Sequence, residues 1–183
     1  MVVLSDLIMS VVLWMYALPN TPGVLLLLMV LGLPTVVIHE LGHGIAANVI
    51  AKVPVKIQIR FRGIDWSGTC QLDPDSPISV GALMAVVVAG PVASLAQGVC
   101  AVWLSTALNP GTGLYAVVAV FGLAGLMAGV LNLVPLRQPD LQSDGQTLLD
   151  LTRLVAGGRV AEWIVLARGA EDPHAATSVA PPG

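Results

Sequence analysis

The stretch TVVIHELGHGIAANVI, residues 35 to 50, sets one carboxylate and two imidazoles in the middle of an apolar run. A charged side chain at the centre of a membrane helix costs at least ~2.5–3.5 kcal/mol, so an acid placed there marks function by default. His39 and His43 are four residues apart. On a helix that spacing stacks them on one face, about one turn from each other. Two imidazoles so placed can hold one zinc ion, and Glu40 lies beside them. The H-E-x-x-H pattern is that of zinc hydrolases in which the glutamate is the general base. Zinc lowers the pKa of water bound to it to about 7. Hydrolysis consumes water, so inside a bilayer such a site requires a polar cavity open to one side.

The rest of the chain supports the membrane reading. Of its 183 residues 56% are hydrophobic and 10% charged, and the mean hydropathy is +0.86. Soluble domains carry about 25% charged residues, which excludes an ordinary water-soluble fold. The formal charge of -3 is modest, and no basic run with interleaved aromatics invites nucleic acid. Cys70 and Cys100 are too few for a disulfide framework and read as small thiols in an apolar setting.

A span needs about 20 mostly apolar residues. Three segments qualify: residues 23–51, which include the opening stretch, 80–108 and 113–135. A fourth, residues 1–18, is interrupted by Ser5, Asp6 and Ser10; it lacks the basic start of a signal peptide and reads as a retained span. The expected fold is an all-α polytopic membrane protein of about four transmembrane helices. With that layout all eight basic residues fall on one side of the membrane, and the opposite turns PNTPG (19–23) and NPGTG (109–113) hold none. The positive-inside rule then places the basic side, the C-terminus and access to the site in the cytoplasm of a multi-pass cell-membrane protein.

Between the second and third spans, PVKIQIRFRG alternates apolar Val55, Ile57, Ile59 and Phe61 with polar residues. That period of two is a half-buried strand. GIDWSG supplies a turn, and TCQLD returns. A short interfacial β-hairpin is expected, with Trp66 at headgroup level. Its edge, through Ile57 and Ile59, is suited to pair with an extended peptide substrate. Near the C-terminus GQTLLDLTRLVAGG has apolar residues at helical spacing, ended by Gly157 and Gly158. One membrane-embedded domain is expected over residues 1–168, followed by a disordered tail, 169–183.

Further motifs stand in a fixed order. HELGHG is followed by AGP at 89–91, by NLVP at 132–135 and by SDG at 143–145. Together they resemble the site-2 protease family of intramembrane zinc metalloproteases, over residues from about 24 to 155. The resemblance implies a core of three helices, a zinc ion held by His39, His43 and Asp144, and Glu40 as the catalytic base. By the residues alone Asp140 and Asp144 both remain open as third ligand. Asn132 offers a donor and an acceptor to an extended substrate, Pro135 frees backbone groups at the end of its helix, and Gly145 permits a tight backbone. Two features depart from the family. Ser94 stands where an asparagine is common, and the stretch between Pro135 and Asp144 is longer by about four residues. The expected partners are the lipid bilayer, a membrane-protein substrate and, since the chain has no room for a sensory domain, a regulatory membrane partner. The competing reading is a catalytically inactive zinc-binding membrane protein; a structural site, however, has no use for Glu40. A transporter is disfavoured because no internal repeat is visible.

Overall fold

The computed structural model describes residues 21–62, 65–73, 75–138 and 141–158. The expected first span, residues 1–18, and the tail, 169–183, lie outside these. Among the described residues three helical segments are long and apolar enough to cross a membrane: Met29–Ala51, Val80–Ser105 and Gly113–Leu133. These match the three clear spans read from the sequence.

Helix α1, Thr21–Ala46, carries the H-E-x-x-H motif and runs into a π-helical turn, Ala47–Ala51. The wider turn ends at Lys52, which takes a left-handed conformation (φ 56°) and returns its N–H to the Ala47 carbonyl. Ala47 is fully buried in a cluster with Ala46 and Val86. The chain then reverses into strands β1, Val55–Arg62, and β2, Asp65–Leu72, paired antiparallel with Ile59 opposite Gly68.

The hairpin lies along α1 and not merely across its end. Ile57 packs at Gly44, Gly68 abuts the Glu40 side chain, and Trp66 sits at Gly32. The Trp66 indole N–H donates to the Met29 carbonyl at 2.9 Å. The expected hairpin was interfacial, with Trp66 at headgroup level; in the structure its indole is tied to α1 at Met29, the first residue of that candidate span. The reason is local: Gly32 and Gly44 clear space on the helix, and the indole N–H finds a backbone acceptor there. Non-helical backbone at membrane depth is tolerated where protein or water covers it.

Helix α2, Val80–Ser105, is N-capped by Ser79, whose hydroxyl accepts from the Ala82 N–H at 3.2 Å. Helix α3, Gly113–Leu133, is capped in the same way by Thr112 through Tyr115. The two approach closely through small residues, as membrane helices do. A Cβ on Gly125 would stand 2.9 Å from the Gly98 nitrogen and the Ser94 oxygen. Gln97 ties all three spans together: its amide donates to Thr35 Oγ1 on α1 at 3.1 Å and to the Phe121 carbonyl on α3 at 3.2 Å. A minimal pair of strands, β3 Arg137–Gln138 and β4 Leu141–Gln142, leads to helix α4, Asp144–Ala156. Its Leu151 is buried against Leu83 and Val87 of α2. Gly157 and Gly158 (φ 67°) end the helix where the sequence placed its break.

Gly125→Val should force α2 and α3 apart and cost about 1–3 kcal/mol of stability, the usual penalty of overpacking. Thermal unfolding in detergent, followed by helical circular dichroism, would read this as a lowered midpoint. An unchanged midpoint would contradict the close approach.

Candidate metal centre

The two histidines of α1 reach the face of α2, and α2 meets them at positions four residues apart. The His43 Nδ1 donates to the Val86 carbonyl at 2.8 Å. Gly90 leaves the room that the His43 ring fills, since a Cβ there would overlap it. His39 Nδ1 lies 3.0 Å from Ser94 Oγ, and Ser94 is wholly buried. Pro91, inside the same helix, has no N–H for the Val87 carbonyl. Gly90 of the AGP motif, with Val86 and Ser94 one turn to either side, is therefore the cradle of the histidine rings. The element that approaches Gly90 is the His43 imidazole itself.

These contacts decide which ring nitrogens are left for chemistry. A carbonyl can only accept, so His43 carries its proton on Nδ1 and presents Nε2 bare. A serine hydroxyl can donate or accept; with Ser94 accepting, His39 presents its Nε2 in the same way. The two Nε2 atoms face each other at 3.1 Å. Asp144 joins them, with Oδ2 at 3.1 Å from His39 Nε2 and Oδ1 at 3.5 Å from His43 Nε2. Two lone pairs and a carboxylate facing one another need positive charge between them, either an added proton or a metal ion. Tetrahedral zinc with bonds of 2.0–2.1 Å sets its ligand atoms ~3.3 Å apart. The three observed separations bracket that value, so His39, His43 and Asp144 form a group able to bind a metal.

Asp144 reaches this point because the start of α4 is fastened to the end of α3. Ser143 caps α4, accepting from the Gln146 N–H at 3.2 Å. The same hydroxyl donates to the Val134 carbonyl at 2.7 Å and accepts from the Leu136 N–H at 2.9 Å. Gly145 lies so near the Leu133 carbonyl that a Cβ would overlap it. Its role is this close packing rather than an unusual backbone angle. The longer stretch before Asp144 folds into β3 and β4 and is pinned to α4 by Asp150. That carboxylate accepts from Arg137 at 2.7 Å, Gln142 at 3.0 Å and Gln146 at 2.9 Å. Asp140 lies outside the described residues.

Glu40, next to His39, is buried at 6% exposure. The backbone of β2 covers it, and only a glycine at position 68 leaves its side chain in place. Of the residues expected to bind substrate, Asn132 is half-buried in the last turn of α3 and Pro135 is exposed just beyond it. Neither supplies an atom to the metal group. Ile57 faces α1 at Gly44, and it is β2, not β1, that touches Glu40. Sequence reasoning missed Ser94 and Ser143 as parts of the site. The signals for both were present: Ser143 and Gln146 have the spacing of a capping box, and Val86, Gly90 and Ser94 recur every fourth residue.

With the geometry in view, comparison with known proteins is informative. The fold is similar to the solved site-2 protease from Methanocaldococcus jannaschii, with a TM-score of 0.57 and 26% identity over 82% of this chain. The match takes in 65% of that protein, so this chain spans just under two thirds of its length. No family model and no curated protein sequence matches. The structural likeness supports the site-2 protease family that the ordered motifs pointed to.

Removing the hydrogen-bond partner of a metal-binding histidine typically lowers metal affinity by about 10–100-fold. Ser94→Ala should show that loss in competition titration with a zinc chelator, with helix content unchanged. Asp144→Ala should lose stoichiometric metal altogether. Equal affinity in Ser94→Ala and the unmodified protein would remove Ser94 from the site.

Proposed function

We propose that this chain is an intramembrane zinc endopeptidase that cuts a transmembrane or membrane-anchored protein near the cytoplasmic face. The observation that carries the reading is the convergence of His39 Nε2, His43 Nε2 and an Asp144 oxygen beside Glu40, within a bundle of apolar helices. The likeness to a solved site-2 protease supports it. A zinc ion held by these three residues supplies the Lewis acidity that makes water a nucleophile near neutral pH.

The chain's own residues do the rest. Val86 and Ser94 hold the two rings in the tautomer that turns Nε2 inward. Glu40 accepts a proton from the attacking water and delivers it to the leaving amine, the usual exchange for a general base that becomes the acid. Burial of Glu40 under β2 keeps bulk water from competing for that proton. A helical substrate hides its carbonyls in hydrogen bonds and must unwind before it is cut. The hairpin offers a strand edge with which an unwound segment can pair, through the backbone at Ile57 and Ile59. Asn132 and Pro135, at the end of α3, offer polar groups to the same segment. The basic loops put this machinery on the cytoplasmic side, with the C-terminus, and a membrane partner is the expected regulator.

Glu40→Gln separates catalysis from metal binding. The variant should keep one zinc per chain and lose about 10²–10⁴-fold in cleavage rate, the usual contribution of a general base. Metal content by mass spectrometry and cleavage of membrane substrates in reconstituted vesicles would measure the two. Full turnover by Glu40→Gln would favour the competing reading, in which the zinc site is not catalytic.

A further inference from the structure

The outer face of the hairpin is polar throughout its described side chains. Cross-strand partners share a face. The pairs Lys56–Gln71, Gln58–Thr69 and Arg60–Ser67 therefore stand together, opposite the apolar pairs that meet α1. Lys56, Arg60, Thr69 and Gln71 are exposed. Arg60 donates to Gln58 Oε1 at 2.7 Å. Neither Lys56 nor Arg60 is in an ion pair among the described residues.

Such a face would be unremarked on a soluble protein. Here the strands run beside a membrane span, from the Ala46–Ala47 level, where Val55 and Leu72 pack, to Met29, where Trp66 is tied. Arg60 lies four residues beyond Lys56, about 13 Å further along the strand at ~3.3 Å per residue. Its neighbour in register is Ser67, next to the Gly68 that abuts Glu40. A guanidinium with no ion pair among the described residues is thus held at the depth of the proposed base. At that depth lipid chains cannot solvate it. Cations there face a water-lined cavity or a partner, and they mark substrate pathways. Lipid headgroups can reach Lys56 near the end of the span, but not a residue a further 13 Å or so inward. A partner that satisfies both charges at once is an extended chain lying along the strands with carboxylates of its own. Where water is scarce such pairs select a partner strongly.

We propose that this face is a docking surface for acidic side chains on the unwound segment of the membrane-protein substrate, with Lys56 and Arg60 as the charges that select it. The assignment of that segment as substrate rests on the protease reading above.

The test uses the zinc-loaded Glu40→Gln protein in nanodiscs of neutral phosphatidylcholine, so that binding is read without cleavage. The probes are two fluorescent transmembrane peptides, identical except that three aspartates in one are asparagines in the other. The acidic peptide should bind about tenfold more tightly, and the preference should vanish in Lys56→Gln/Arg60→Gln with zinc content and helicity unchanged. Equal binding of the two peptides, or a preference that survives the double substitution, would overturn the proposal. So would equal peptide binding accompanied by a phosphatidylglycerol-induced thermal shift that the double substitution abolishes, since that outcome makes the face a headgroup site. Incubating the acidic peptide with the unmodified protein reads the other question separately. Selective binding without cleavage would count against the protease reading and leave the docking surface standing; cleavage of both peptides alike would do the reverse.

Discussion

The structure turns on one electrostatic constraint: three acceptor atoms face each other inside a helical bundle with no room to part. His43 cannot turn away, because its Nδ1 is bound to a backbone carbonyl and its ring fills the space left by Gly90. His39 is held in the same manner by Ser94. Asp144 arrives from a helix whose first turn is sewn to the end of α3 by a single serine hydroxyl. None of these groups is comfortable alone in an apolar setting, and a cation between them resolves the conflict. The neighbouring small residues, the proline in α2 and the cap on α4 all serve to bring these atoms together.

Helix α2 acts as a template in this arrangement. Its contacts with α1 run step for step: Val86 and Gly90 receive His43, Ser94 receives His39, and Gln97 receives Thr35. Because α1 and α2 are antiparallel and both advance about four residues per turn, a match at one step carries to the next. Gln97 extends the match to α3 through the Phe121 carbonyl. Polar contacts between membrane helices are individually modest, and close packing of small residues supplies much of the association. Here both kinds occur in the same turns.

Much of this was legible in the sequence, and the unread parts have a common cause. The three spans, the strand alternation, the metal-binding pair in α1 and the end of α4 at Gly157 follow from local patterns that residues carry wherever they stand. The placement of the hairpin along α1 was not legible because Trp66 is amphipathic: its indole suits a headgroup layer and a backbone carbonyl equally well, and only the tertiary fold chooses the Met29 carbonyl. Ser94 was noted only as a departure from a family pattern. A serine in an apolar helix looks like packing until the helix opposite is known to carry His39. Gly68 sits in a segment that reads simply as a return strand, and its meaning depends on Glu40 lying beneath it. Asp144 could be separated from Asp140 only by resemblance to a family, since a ligand's depth is a three-dimensional property.

The β3–β4 excursion bears on how such proteins are found. Lengthening a surface loop raises its closure entropy slowly, by only about 0.6 kcal/mol for each doubling. The Asp150 clamp gathers the added residues at the base of α4, while the junction of Gly145 with the Leu133 carbonyl fixes where the ligand emerges. Spacing between Pro135 and the aspartate is therefore a weak criterion for membership in such a group. A search that lets this gap vary freely, but demands the serine cap and a glycine after the aspartate, follows the physics of the junction and would recover chains that fixed-length patterns discard.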